Sequence, residues 1–258
     1  MKINGKTIVI TGGASGLGAA TASYLATEKG ARVALFDLKA DEGHALAETL
    51  GPERAFFQTV DVTDAASVQA AVDVTTERFG TIHVCINCAG VPMPAKILDR
   101  EGKAMPLEKF KTVIDINLVG SFNAMSKCAE QMAKNPPEDE EERGVVINVS
   151  SGAAYEGQIG QAAYGSSKAG VIGLNMPAAR ELGRLGIRVN AIAPGLFRTP
   201  MLESLGDKAI ASLTEMVEAP KRMGDMREFA HLCAFMIENA YLNGETIRLD
   251  AASRMQAK

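Results

Sequence analysis

Metal-binding side chains are scarce in this 258-residue chain, which has three scattered histidines and four cysteines. Cys85 and Cys88 form a CxxC, but no second pair or histidine cluster accompanies them, so no metal site is expected. The two thiols flank an apolar strand (IHVCIN), where positions three apart point to opposite faces and favour packing over shared ligation. Excess positive charge is also missing. The net charge is −4, the pI is about 5.5, and no basic stripe occurs. That excludes nucleic acid and anionic membrane as primary partners. No apolar run approaches the ~20 residues of a bilayer span. The first strand begins almost at once, in KTIVITGG, with no segment of signal- or transit-peptide character before it. The cytoplasm is the expected compartment; a cleaved presequence also fits.

What the chain has is alternation. Hydrophobic residues make up 47% of it, enough for a sizeable core. Apolar runs KTIVIT, ARVALFD, AFFQTVDV, IHVCINCAG, GVVINVSS, IRVNAIAPG and ETIRLD read as buried strands. Helical periodicity fills 16–29, 40–50, 64–79, 108–133, 162–184 and 225–238 between them. This pattern predicts an α/β fold, a doubly wound (Rossmann) parallel sheet with helices on both faces, as one domain over 1–258.

Three stretches break the pattern. Residues 91–106 form a long connection after the fourth strand. Residues 134–143 (KNPPEDEEER) read as a solvated acidic loop. Residues 200–224, beyond the sixth strand, have the position of a lid, and both long connections are expected to border one crevice. Pro177, inside a helical pattern, predicts a kink or a break in hydrogen bonding.

The first strand runs into TGGASGLGAA, where Gly12, Gly16 and Gly18 give GxxxGxG between a strand and a helix. Glycine permits the tight turn and a close approach of backbone to pyrophosphate, and the helix N-terminus offers free amides. Ser15 adds a hydroxyl. Asp37 ends the second strand, about twenty residues on, where a carboxylate can accept from both hydroxyls of an adenosine ribose. It would repel a 2′-phosphate, which favours NAD over NADP, against Lys39 and Arg32 as cations within potential reach. Asp61, ending the third strand, is placed to meet an adenine, with Thr63 or Asp64 the better caps for the next helix.

Tyr164 and Lys168 stand four apart in AAYGSSKAG, on one face of a helix, and Ser151 lies thirteen residues before the tyrosine. An ammonium at ~4 Å is worth about 4 kcal/mol at an effective dielectric near 20. That would bring a phenol from pKa ~10 to roughly 7. Tyr164 then becomes a proton carrier, with Ser151 holding the substrate oxygen.

Together these motifs resemble the short-chain dehydrogenase/reductase family over essentially the whole chain. TGGASGLG matches its TGxxxGxG, NCAG at 87–90 its NAG-type motif with Cys88 set in it, and PGLFRT at 194–199 its PGxxxT. Asn117, in IDINLVG, matches the family's helix asparagine. The resemblance implies Asn117, Ser151, Tyr164 and Lys168 as the catalytic set. Lys168 would also bond the nicotinamide ribose, and Asn117 would hold a water in a proton relay. It implies cofactor contacts from Gly12, Ser15, Gly16, Leu17, Gly18, Asp37, Asp61, Val62, Cys88, Tyr164, Lys168, Phe197 and Thr199. Substrate contacts fall to Ser151, Gln158, Gln161 and Tyr164. The match is closer to a branch acting on 3-hydroxyacyl-CoA thioesters, which implies oxidation of a short, 2-methyl-branched or unbranched acyl-CoA with NAD and a homotetramer. A steroid or other secondary alcohol, a carrier-protein 3-ketoacyl substrate and a non-catalytic NAD-responsive scaffold stand as alternatives. Compared with that branch, Ala251–Ala252 replaces a glycine-containing pair and the acidic loop differs in composition.

Asp37 generates the first prediction. kcat/KM should be much higher with NAD than with NADP, and Asp37→Ala should narrow the gap; equal values in the unmodified protein would refute the assignment.

Overall fold

The computed structural model describes residues 1–203 and 206–257. The first half alternates strictly: β1 (Thr7–Thr11), α1 (Gly16–Thr27), β2 (Arg32–Asp37), α2 (Ala40–Leu50), β3 (Ala55–Thr59), α3 (Ala65–Phe79) and β4 (Val84–Asn87). Next come α4 (Leu107–Ile114), a π-helical turn (Asp115–Val119), α5 (Gly120–Met132), β5 (Gly144–Val149), α6 (Ala162–Gly183) and β6 (Ile187–Pro194). Two short helices, α7 (Pro200–Glu203) and α8 (Asp207–Glu215), precede α9 (Met226–Glu238) and β7 (Thr246–Leu249). The strands form one sheet of order β3-β2-β1-β4-β5-β6-β7, parallel throughout. This is the doubly wound architecture that the alternation predicts.

Burial explains why the strands read as continuous apolar runs. Every residue of β1, β4, β5 and β6 is buried, because helices cover both faces. On one face Ile8, Leu35 and Ile147 pack with Leu25 of α1 and Phe229 and Ile237 of α9. On the other, Val9, Phe36 and Val146 pack with Val68 and Val72 of α3, Met125 and Met132 of α5 and Ala178 of α6. Cys85 belongs to the second cluster while Cys88 packs against the first, so the CxxC thiols sit on opposite faces. Burial pushes the Cys88 thiol up to about 12.

Most helix limits fall within two residues of those expected. The 108–133 stretch differs: a π-helical turn interrupts it, with Gly120 N–H donating to the Asp115 carbonyl. The extra residue in that turn shifts the buried stripe. Val113, Asn117, Ser121, Ala124, Met125 and Cys128 point inward, whereas Phe122 is 51% exposed. Gly120 permits the close packing there, since a β-carbon would lie 2.6 Å from Val62 Cγ2. Pro177 does not interrupt α6. Both it and Gly173, the residue whose carbonyl loses its partner, are exposed, so water can satisfy that oxygen. The acidic loop is only partly solvated. Glu142 is buried and accepts from Arg188 Nε at 2.6 Å, while other Arg188 nitrogens donate to the carbonyls of Met236, Ile237 and Leu242. None of the described helices is long and apolar enough to cross a membrane.

The sheet reverses direction of winding between β1 and β4, and the crevice at such a switch point opens at the carboxyl ends of the strands. A row of polar side chains closes the core there. Thr11, Asn87 and Asn148 are register partners across β1, β4 and β5. Asn87 Nδ2 donates to Asn148 Oδ1 at 2.8 Å and to the Ser121 carbonyl at 3.2 Å, and the Thr11 hydroxyl donates to Asn87 Oδ1 at 3.4 Å.

At the other end of β4, His83 Nδ1 accepts from the Thr7 N–H at 3.1 Å. Burial, with Lys6 nearby, lowers its pKa from 6.5 to about 4. The unfolded chain therefore takes up this proton first. Its contribution to stability is present above pH ~6.5 and is lost as pH falls toward ~4. Urea unfolding at several pH values should show stability declining through that window, and the decline should be shallower in His83→Gln.

Candidate active site

The loop after β1 is built for close approach. Gly12 and Gly16 have φ of +65° and +55°. A β-carbon on Gly12 would lie 2.7 Å from Ala89 N, and one on Gly18 would lie 2.2 Å from the Gly12 carbonyl oxygen. Ser15 occupies the N-cap of α1 without a capping hydrogen bond, and the first turn holds no acidic residue. The helix amides therefore face outward for an anion. Leu17 anchors the turn against the core. This cradle fits a dinucleotide pyrophosphate.

Asp37 closes the loop from the side. Its carboxylate accepts from the Ala14 N–H at 3.0 Å and from the Lys39 N–H at 3.1 Å. Of the two cations noted near Asp37 in sequence, Lys39 reaches this region, donating to Ser15 Oγ at 3.3 Å. Arg32 points away, donating to the Gly5 carbonyl and stacking on Phe79. Asp61 accepts from the Thr63 N–H and hydroxyl, at 2.9 and 2.7 Å, while Asp64 caps α3. Val62 lies beside it, its carbonyl accepting from Asn123 at 2.9 Å.

The candidate proton-transfer residues converge from the π-helical turn, the end of β5 and α6. Ser151 is buried at the N-cap of a short 3₁₀ turn (Gly152–Ala154), its hydroxyl accepting from the Ala153 N–H at 3.1 Å. The same hydroxyl lies close enough to the Tyr164 phenol to favour its ionised form. Lys168 donates to the Val149 carbonyl at 2.8 Å, and its own carbonyl accepts from Ser150 Oγ. Asn117 accepts from the Val91 N–H at 2.8 Å and donates to the Val91 carbonyl and to Ser167 Oγ, both at 3.0 Å. Ser167 in turn donates to the Tyr164 carbonyl at 2.7 Å. Gly90 lets these groups meet. A β-carbon there would lie 3.1 Å from Asn117 Oδ1 and 3.2 Å from Lys168 Nζ.

The electrostatics differ from the expectation of a lowered phenol. Lys168 Nζ lies 5.9 Å from the Tyr164 ring centroid. Burial raises the Tyr164 pKa, and the nearby Ser151 hydroxyl only partly opposes this. Burial also brings the Lys168 ammonium down to about 8. Desolvation wins because Lys168 is buried and no hydrogen bond joins it to Tyr164.

Beside Tyr164 lies a crevice of about 430 Å³, lined by Ala95, Lys96 and Ile97 on one side and 157–162 with Gly165 on the other. Gln158 and Gln161 are in its wall, Gln161 Oε1 accepting from the Gln158 N–H at 3.0 Å. The expectation that 200–224 shares this crevice fails among the described residues. Its described residues Ile210, Thr214 and Met223 border a separate cavity of about 530 Å³ with Arg198 and His231. Phe197 is the reason: its ring packs on Phe229 and its backbone bridges to Gly224, directing the chain to the other side. Thr199 accepts from the Leu202 N–H at 3.4 Å at the start of α7.

Sequence reading assigned no role to Thr11, Asn148, Gly90 or Ser167. Thr11 and Gly90 stand in the TGGASGLG and NCAG motifs, and Asn148 is a polar residue in an apolar strand. Ser167 carries no signal, because its role depends on contacts across elements.

A family model described as short chain dehydrogenase matches residues 6–210. The 3-hydroxyacyl-CoA dehydrogenase type-2 of Bos taurus is 48% identical over 255 residues, 98% of this chain and 97% of that one. The Homo sapiens protein of the same name is 47% identical over the same shares. The crystal structure of 3-hydroxyacyl-CoA dehydrogenase type-2 from Mycobacterium avium superposes with a TM-score of 0.94 at 40% identity, covering 100% of both chains.

The glycine cradle yields a direct test. Gly18→Ala should weaken NADH binding, followed by fluorescence titration, by about tenfold or more, because the β-carbon must displace the Gly12 backbone. Unchanged affinity would show that the loop does not hold the cofactor.

Proposed function

The chain belongs to the short-chain dehydrogenase family, and from that premise we propose that it oxidises a short 3-hydroxyacyl-CoA, 2-methyl-branched or not, to the 3-ketoacyl-CoA with NAD and runs the reverse reduction. It is an oxidoreductase acting on CH–OH groups of a small molecule, with a nicotinamide cofactor. The observation that carries the substrate reading is the nearness of the Ser151 and Tyr164 hydroxyls, with Gly165 in the wall of an open crevice, in a chain 48% identical to a dehydrogenase of that name.

Gly12, Ser15, Gly16, Leu17 and Gly18 hold the pyrophosphate, Asp37 the adenosine ribose, Asp61 and Val62 the adenine. Cys88, Phe197, Thr199, Tyr164 and Lys168 border the nicotinamide half. When bound, the nicotinamide supplies the hydride acceptor. Everything else falls to the chain's own side chains. Ser151 and Tyr164 present two hydroxyls to one oxygen of the substrate. In reduction Tyr164 gives its phenolic proton to the substrate oxygen; in oxidation the phenol first releases that proton to solvent and the phenolate then takes the alcohol proton, while Ser151 steadies the carbonyl oxygen as charge develops. Burial keeps the phenol protonated at rest, so the protein waits as a donor. Lys168, at about 8, is mostly charged at neutral pH and opposes the phenolate's cost. Asn117 fixes Val91 and Ser167 around the lysine, and its relay role rests on family resemblance. Gln158 and Gln161 offer amides to the thioester oxygen.

Residues 1–258 act as one domain in this reading, and the chain assembles as a homotetramer. Val119 and Phe122 on one surface and Phe235 and Tyr241 on another are exposed apolar or aromatic side chains that such contacts would cover. A steroid is the second reading, favoured by Ile97 and Ile159, both more than half exposed at the crevice.

Acetoacetyl-CoA should be reduced with a kcat/KM about 10²-fold or more above that of free acetoacetate at equal NADH, since remote thioester contacts contribute to the transition state. Tyr164→Phe, the control for chemistry at this site, should keep less than about a tenth of kcat. Equal efficiency for the free acid, or turnover of steroids alone, would replace the acyl-CoA reading with the secondary-alcohol one.

A further inference from the structure

Glu156, Arg248, Asp250 and Arg254 form a charge cluster outside the proton-transfer residues. The Arg248 guanidinium forks onto Glu156 at 2.9 and 3.2 Å, and its Nε donates to Asp250 at 2.7 Å. Arg254 adds contacts to Glu156 at 3.4 Å and to Asp250 at 3.1 Å. Glu156 also accepts from the Met255 N–H at 3.4 Å. The cluster is only partly exposed, 22% for Arg248 and 27% for Glu156, so its pairs are less screened than ordinary surface ones. Arg248 also lies over the Tyr155 ring, 4.8 Å from its centroid.

From this anchor the C-terminal residues run along the substrate crevice. The Gln256 carbonyl accepts from Gln158 Nε2 and the Ala257 carbonyl from the Ile159 N–H, both at 3.1 Å. Gln158 and Ile159 are crevice wall. The Met255 methyl lies 3.8 Å from where a β-carbon on Gly152 would sit, one residue from Ser151. On its other side the tail meets the segment after α8, where the Ala251 carbonyl accepts from the Glu218 N–H at 3.2 Å. Ala251 and Ala252 turn with φ of +48° and +58° to make this path.

We infer that residues 250–257 are the outer brace of the acyl crevice, and that Glu156 and Arg248 are its positioning pair, setting the placement of Gln158 and Ile159 and hence which acyl groups fit. The inference rests on the acyl-CoA reading for the identity of the substrate but not for the geometry. Glu156 begins the stretch whose next five residues all line the crevice, so a change in its anchorage moves the whole wall. The brace leaves Tyr164, Lys168 and the glycine loop untouched, so it acts on substrate fit and not on cofactor or proton transfer.

The test compares Glu156→Gln, Arg248→Met, Arg248→Lys and a chain ending after Ser253. Each is assayed with NADH and with acetoacetyl-CoA and an eight-carbon 3-ketoacyl-CoA. Glu156→Gln, Arg248→Met and the shortened chain should raise KM for the four-carbon thioester about tenfold and narrow the preference between the two thioesters. NADH affinity and kcat at saturation should stay within about twofold, and Arg248→Lys should recover part of the KM. Loss of kcat and NADH affinity in parallel with KM, or unchanged KM in all the point variants, would overturn the inference. If the shortened chain does not fold, the point variants decide. Should the unmodified protein turn over only a steroid, the acyl-CoA reading falls. The same KM comparison, made with that steroid, still decides the role of the brace.

Discussion

The buried row Thr11–Asn87–Asn148 is the constraint on which the site depends. Three parallel strands end at one level, and each places a polar side chain where its neighbours expect hydrocarbon. An unpaired amide in that position would cost on the order of 1–3 kcal/mol. Pairing is achieved only when β1, β4 and β5 keep the observed register. That register sets the glycine loop against Cys88–Gly90, because the Thr11 carbonyl accepts from the Cys88 N–H at 3.1 Å and the Thr11 hydroxyl from the Ala89 N–H at 3.2 Å. A slip of one residue would leave amides unpaired and separate the two halves of the crevice.

A second layer of fixation comes from the π-helical turn. It points Asn117 inward between Val91 and Ser167, so that one side chain holds the backbone after β4 and the turn of α6 bearing Tyr164. A regular helix through 108–133 would distribute its buried positions differently. Widening by one residue is a local cost that orders groups on three elements. Desolvation in the same place raises the phenol's pKa and lowers that of the lysine.

The two long connections have separate tasks. Residues 95–97 and 157–162 line the open crevice, while described residues of 210–224 border the separate cavity beside α9. The C-terminal residues lie between them, hydrogen-bonded to both the 156–159 stretch and Glu218–Ala219. The proposed substrate side is thus made of segments distant in sequence, held by ion pairs and backbone hydrogen bonds, whereas the proposed cofactor side is made of turns that follow single strands.

Strand and helix alternation, the GxxxGxG turn, Asp37 at a strand end and the Tyr164–Lys168 spacing were legible in the chain itself. Each is a local property: burial on both faces makes a strand apolar throughout, a tight turn requires glycine, and a four-residue spacing puts two side chains on one helix face. Tertiary structure decided the rest. The π-helical turn, the ion-paired Glu142, the raised phenol, the separate course of 200–224 and the folding back of the C-terminus all depend on which distant groups come to share a low-dielectric space or a hydrogen bond. Sequence spacing carries no record of such meetings, because desolvation and cross-element pairing exist only once the sheet has brought the partners together.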